Sequence, residues 1–298
     1  MAGKITVIGS ANADLVIHSD KMPELGETLN GSHFQINAGG KGLNQAVAIA
    51  KLGGNVSFLG AVGNDANGQM LTDTLHANGV SFKGITIETI PTGIAMITVV
   101  NGNNFIILDA GANYALTPEI IEQHSGIIAQ SDFCVLQLEI PLESVLKVCE
   151  IASQNNTLII LNPAPFQPLP DILLSQIDYL IPNEHEAQDL TGINPNTEEN
   201  CKEAIRMLQQ KGIPNIIITL GERGCVYNRG DEIIFNPAIP TNAIDTTSAG
   251  DCFIGALVAK ISQNETLEHA VSYATKASAI AVSREGASKS IPYANELE

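Results

Sequence analysis

Apolar residues along this chain recur in two rhythms. Short, nearly uninterrupted apolar runs lie at residues 5–8, 133–138, 158–161, 179–181 and 215–220. Runs of that length, bounded by Gly, Asn and Pro, read as buried strands. Residues 141–154 and 197–211 instead carry apolar positions at helical spacing. Thr117-Pro118 reads as an N-cap followed by proline at the first helical position. From about residue 117 onward strand and helix alternate. Repeated strand–helix units imply an α/β fold, a doubly wound, mostly parallel sheet flanked by helices.

The earlier part of the chain departs from that rhythm. Segments 15–19, 31–37 and 94–108 are β-rich, and Asn101-Gly102-Asn103 is a turn inside the last of them. No helical stretch separates that last pair of strands. A small antiparallel sheet, distinct from the main one, is expected here. With 298 residues and 44% hydrophobic content, the chain is expected to be one domain, 1–298, with one large core.

Charge narrows the partners. Net charge is −17, which argues against nucleic acid and anionic membranes. No apolar run approaches the ~18–20 residues of a membrane span. The N-terminus reads as a strand without the features of a signal peptide. The cysteines, Cys134, Cys149, Cys201, Cys225 and Cys252, are scattered without a Cys-x-x-Cys spacing. They read as reduced, buried thiols of a cytoplasmic protein. The six histidines show no metal-ligand spacing.

Chemistry concentrates at two small-residue turns. Asp245-Thr246-Thr247-Ser248-Ala249-Gly250-Asp251 feeds an apolar helical run from Cys252 to Leu257. A helix start with small residues suits an anion. A carboxylate there suits a base that takes a proton from a hydroxyl attacking a phosphoryl group. A plain helix start with a capping Asp reads as well at this point. Ala38-Gly39-Gly40-Lys41-Gly42-Leu43-Asn44 opens a second, Ala-rich helix. It is neither a Walker A loop nor a dinucleotide fingerprint. Other polar groups follow strand ends: Asn12 and Asp14, Glu139, Asn183 with Glu186, and the loop Thr219-Leu220-Gly221-Glu222-Arg223-Gly224. Carboxyl ends of strands are where open α/β sheets hold ligands. Asn183 and Glu186 share a face and suit the water shell of Mg2+ or ordinary helix capping.

Together these pieces resemble the ribokinase-like family of carbohydrate and nucleoside kinases, of PfkB type. The block 39–63 and the block 245–253 match its two characteristic motifs in order and spacing, and the resemblance covers nearly the whole chain. Asn12-Ala13-Asp14, Gly40-Lys41-Gly42-Leu43-Asn44, Glu139, Leu161-Asn162-Pro163-Ala164-Pro165 and residues 281–287 resemble the ribose-phosphorylating branch most. Leu43 stands where alanine is usual, and Ser248 where glycine or alanine is usual.

The resemblance implies ATP-dependent phosphorylation of D-ribose at its 5-hydroxyl. Asp251 would be the base, with an anion hole at Ser248, Ala249, Gly250 and Asp251. Asn12, Asp14, Gly40, Lys41, Gly42, Asn44, Glu139 and Asp251 would hold the sugar. Asn183, Thr219, Leu220, Gly221, Glu222, Arg223, Gly224, Gly250, Asp251 and Thr275 would contact ATP. Asn183 and Glu186 would influence Mg2+. An activating K+ would lie among Asp245, Thr247, Ala281, Arg284, Gly286 and Ser290. The β-rich segments within roughly 12–38 and 90–110 would form a lid and a homodimer contact. Another sugar or nucleoside kinase of the family, acting on deoxyribose, fructose or adenosine, stays open, as does a non-catalytic sugar- or nucleotide-binding regulator.

Overall fold

The computed structural model describes residues 2–101 and 103–297; Gly102, the middle of the expected turn, lies outside the described residues. Among the described residues fifteen strands, β1–β15, sort into three sheets. In spatial order the large sheet runs β15 (Glu232–Asn236), β14 (Cys225–Arg229), β13 (Asn215–Thr219), β12 (Tyr179–Leu180), β11 (Leu158–Leu161), β10 (Phe133–Leu136), β1 (Lys4–Ile8), β4 (Asn55–Leu59) and β6 (Ser81–Phe82). From β13 to β6 every pairing is parallel, and only β14 and β15 return antiparallel. β5 (Ala61–Gly63) and β7 (Ile85–Ile87) form a separate parallel pair.

Strand periodicity explains why the central runs are apolar throughout. Along β10, Phe133 and Val135 enter one core while Cys134 and Leu136 enter the other. A strand covered on both faces cannot alternate with polar residues. Helices Lys41–Lys51, Ala249–Ser262 and Leu267–Val282 contribute to the first core. Helices Leu142–Asn155 and Glu198–Gln210 contribute to the second. Glycine sets one spacing that matters below. A Cβ on Gly255 would lie 2.3 Å from the Cβ of Ala48. Helices Lys41–Lys51 and Ala249–Ser262 therefore pack almost backbone to backbone, which sets their N-terminal turns side by side.

The second sheet corrects the expected antiparallel pairing. Its order is β3 (Ser32–Gly39), β2 (Asn12–Ser19), β8 (Gly93–Val100) and β9 (Asn103–Asp109). The two hairpins are antiparallel, but β2 and β8 pair in parallel, Asn12 beside Gly93. The chain leaves the main body twice in the same direction and returns each time by a hairpin, so the outgoing strands must be parallel. β9 is exposed along its whole length.

All five cysteines are free and buried. Burial pushes the thiols of Cys149, Cys225 and Cys252 up to about 12, so they stay protonated and unreactive. Among the described residues no helix is long and apolar enough to cross a membrane.

Candidate active site

Strands β1, β10, β11, β12 and β13 end on one edge of the sheet, and most of the candidate residues gather there. Asn12 and Asp14 stand at the base of the small sheet, where β2 pairs with β3. Asn12 is buried, and its Oδ1 accepts a hydrogen bond from Asn113 Nδ2 at 2.7 Å. Asn113 in turn accepts from the Ala11 N–H at 2.9 Å. Glu139, just past β10, accepts from Ser10 Oγ and from the Lys41 N–H at 3.1 Å. Ser10 also takes the N–H of Leu43 on its carbonyl at 2.9 Å. The start of helix Lys41–Lys51 is thus fastened to the end of β1 and to Glu139. Leu43 itself is fully buried in the core, so its difference from alanine does not reach a ligand directly.

Asp251 lies in the first turn of helix Ala249–Ser262 and is buried. Its Oδ1 accepts from Gln45 Nε2 at 3.0 Å and its Oδ2 from Asn44 Nδ2 at 3.2 Å. Asn44 Nδ2 also donates to Ser248 Oγ at 2.9 Å. Ser248 holds φ +60°, a left-handed conformation that favours glycine, which fits the small residue expected there. The Ala249 N–H already donates to the Thr246 carbonyl at 3.2 Å. The N–H groups of Gly250 and Asp251, in the first turn, have no intrahelical acceptor and border the open cleft. Sequence reasoning passed over Gln45, Asn113 and Ser10.

Five ionisable groups, Asp14, Lys41, Glu139, Glu186 and Asp251, converge on this point. Burial, with Glu139 and Asp251 nearby, pushes Asp14 up to about 7. Burial also raises Asp251, against the pull of Lys41 and of the Gln45 and Asn44 amides. Burial raises Glu186, partly offset by the Asn183 N–H and by Lys41. For Lys41 burial acts downward, yet Asp251, Glu139 and Glu186 together hold the ammonium above its ordinary value.

A cleft of about 930 Å3 opens from Lys41 and Asp251. One wall carries Asn183, Glu186, Thr219, Gly221, Glu222 and Gly224, and the other Ile239, Pro240, Ala243, Ala279 and Val282 beside Thr275. The apolar wall went unseen in the sequence. Its volume and its mix of polar and apolar walls suit a nucleotide-sized ligand. Asn183 and Glu186 do form a helix capping box, and the Glu186 carboxylate accepts from Asn183 N and Nδ2 at 2.8 and 2.9 Å. Leu220 is buried in the core, and Arg223 does not line the cleft but pairs with Glu184 on its wall and donates to the Pro195 and Asn196 carbonyls.

Asp245 joins the turn before Ser248 to the C-terminal loop. Its carboxylate accepts from Thr247 N at 2.8 Å and Gly286 N at 3.0 Å. Ala281 is buried, and Arg284 points its guanidinium at Glu296. Ser290, also buried, donates to the Ala287 carbonyl.

A base, an open helix start and a two-walled cleft are the parts of a phosphoryl-transfer site. The sequence pattern of the pfkB family carbohydrate kinases matches residues 2–294. The chain belongs to that family. Among its pfkB relatives, a ribokinase of Haemophilus influenzae is 40% identical over 99% of this chain and 97% of its own length. A deoxyribokinase of Salmonella typhi is 37% identical over 97% of this chain and 95% of its own. The solved structure of Arabidopsis thaliana ribokinase with ribose and ATP superposes with a TM-score of 0.94 at 32% identity, covering 100% of this chain and 98% of that one. The ribokinase-like fold expected from the pfkB motifs is therefore the one observed.

Proposed function

We propose that this pfkB kinase transfers the γ-phosphoryl group of ATP to the 5-hydroxyl of D-ribose. The observation that carries this is Asp251, held at both oxygens and set between the open cleft and the Asn12–Asp14–Glu139 group. The Haemophilus relative is a ribokinase, and the Arabidopsis structure holds ribose and ATP.

Asp251 takes the proton of the attacking hydroxyl, and the sugar oxygen forms its bond to phosphorus. The bond to ADP breaks, and its electron pair leaves with ADP. N–H groups of Gly250 and Asp251, with Ala249 and Ser248 shaping the turn, face the charge on the transferring group. Lys41 balances it. Asn12, Asp14, Asn44 and Glu139 hold sugar hydroxyls, with Gly40 and Gly42 letting the turn pack close against Ser10 and Asn12; Asn44 Oδ1 is buried with no partner among the described residues, ready for a hydroxyl donor. Asn183, Thr219, the Gly221–Gly224 turn and Thr275 hold the nucleotide, with Leu220 and Arg223 acting only through that turn.

The buried, raised Glu186 carboxylate on the cleft wall fits a nearby cation. Mg2+ arriving with ATP would be held through water by Glu186 and Asn183, and would neutralise phosphate charge. Asp245 joins the two segments that would surround K+, with Thr247, Ala281, Arg284 and Gly286 offering carbonyls and Ser290 a hydroxyl. The exposed apolar residues Phe34, Ile36, Met96, Ile106 and Ile107 of the small sheet suit a homodimer contact. Five free thiols suit a reducing compartment, and we place the enzyme in the cytoplasm.

The test is ADP release with D-ribose, 2-deoxyribose, fructose and adenosine, in KCl and in NaCl at constant ionic strength. Ribose should give the highest kcat/KM, and KCl the higher rate. Preference for deoxyribose would move the chain to the activity of its Salmonella relative. Equal rates in both salts would remove the cation site.

A further inference from the structure

Asp251 is held by a fully buried residue, Gln45, that does not line the cleft. We propose that Gln45 is a positioning residue that occupies Asp251 Oδ1 and thereby leaves Oδ2 as the atom that takes the sugar proton; this rests on the kinase reading above.

Gln45 is fully buried. Its Nε2 donates to Asp251 Oδ1 at 3.0 Å and to Asn162 Oδ1 at 3.3 Å. Its Oε1 accepts from Gln137 Nε2 at 2.6 Å. Asn162 Nδ2 donates to the Ile181 carbonyl at 3.0 Å. The chain of amides admits one orientation, because each end is an acceptor: a carboxylate at one, a backbone carbonyl at the other. Gln45 therefore presents N–H, never C=O, to Asp251. The residues come from the ends of β10 and β11 and from two helices, so the rigid scaffold itself fixes the angle of the carboxylate.

Oδ2 faces a different partner. Asn44 Nδ2 reaches it at 3.2 Å from the sugar side of the site. In the reaction the hydroxyl O–H bond breaks, its proton passes to Oδ2, and the oxygen bonds to phosphorus as the P–O bond to ADP breaks. Oδ1 keeps its buried donor throughout. A donor to the charged form also favours ionisation, against the burial that opposes it. Lys41, Asp14, Glu139 and Glu186 face Asp251 as well and stay unchanged in the variants below.

The experiment is the pH dependence of kcat and kcat/KM for wild type, Gln45→Met and Gln137→Met, with the best sugar and ATP. Gln45→Met keeps volume and removes the donor. Its kcat should fall about tenfold or more, with both KM values within about threefold. The acid limb should move to higher pH by about half a unit or more, since the carboxylate loses a donor that favoured its charge. Gln137→Met removes only the partner that holds Gln45, so it should show the same pattern at smaller size, and it decides the matter if Gln45→Met does not fold. An acid limb that stays in place, or a fall in rate matched by rises in KM, overturns the assignment. A wild type without turnover on any sugar overturns the kinase reading, and this role with it.

Discussion

Two helices begin at small-residue turns beside the same carboxylate, and they need their small residues for opposite reasons. At the start of Lys41–Lys51 the protein fills the space. A Cβ on Gly42 would lie 2.7 Å from Ser10 N and 2.8 Å from Gly9 C. Gly40 holds φ +89° with Asn12 N 2.8 Å from any added Cβ. The N–H groups there are already taken, by Glu139, by Ser10 Oγ and by the Ser10 carbonyl. At the start of Ala249–Ser262, its chain neighbours and its own helix's backbone aside, no described residue comes within 4 Å of a Cβ on Gly250. Its N–H borders the cleft. One turn is small because the fold demands it. The other has room for a side chain, and its smallness makes sense only for a ligand that approaches the backbone.

The largest effect belongs to the carboxylate that both turns surround. Asp251→Asn keeps the shape and cannot take a proton. It should lower kcat by about 10²–10⁴-fold while sugar KM changes little. More than a tenth of wild-type kcat in that variant would break the assignment of the base.

Next come the two glycines, which separate the turns directly. Gly42→Ala must push Ser10 and Gly9 backbone aside, at a cost of about 1–3 kcal/mol or more. In a chain of this size that is a fall in Tm of roughly 2–5 °C or more. Gly250→Ala meets no atoms and replaces glycine within a helix, so Tm should hold or rise slightly. Its kcat should nevertheless fall about tenfold, because the added methyl stands where the transferring phosphate must approach. Thermal melts paired with initial rates read both. A Gly250→Ala enzyme of full activity would mean that nothing approaches that N–H closely.

The two turns were both visible in the sequence, and their difference was not. Glycine next to a helical run marks a helix start, whichever neighbour requires it. The main sheet was legible because buried parallel strands are apolar on both faces, as β10 and β11 are. The parallel pairing of β2 with β8 was not, because it is set by where the chain leaves the main sheet, far apart in sequence. Asp251 stood out by its seven-residue context. Gln45 did not, since one glutamine in an Ala-rich helix has no motif. A signal was present all the same. Residues Gly42 to Ile49 are buried right round that helix, so a polar side chain among them must find a buried partner. Ser10 and Asn113 are hidden for the same reason: each serves another polar residue rather than a ligand.

The smallest effect tests the crowding of charge at the site. Asp14 is buried beside Glu139 and Asp251, and its carboxyl is pushed up to about 7 from the ordinary 3.8. The folded protein therefore holds that proton to higher pH than the unfolded chain does. As pH rises from about 4 to about 7, wild type loses the stability that the bound proton gave. Asp14→Asn has no proton to lose, while Glu139, Asp251 and the other site groups remain in both proteins. The Tm difference, variant minus wild type, should be near zero at pH 4, grow to pH 7 and then level off. The rise between pH 4 and pH 7 should amount to roughly 1 kcal/mol or more, or about 1.5 °C or more. The same change should raise the sugar KM, since an amide cannot accept hydroxyl donors on both sides as a carboxylate does. A variant that gains heat stability only above pH 5 while binding sugar more weakly would mark Asp14 as a residue kept for its ligand at the fold's expense. A Tm difference flat across pH would place the Asp14 proton elsewhere.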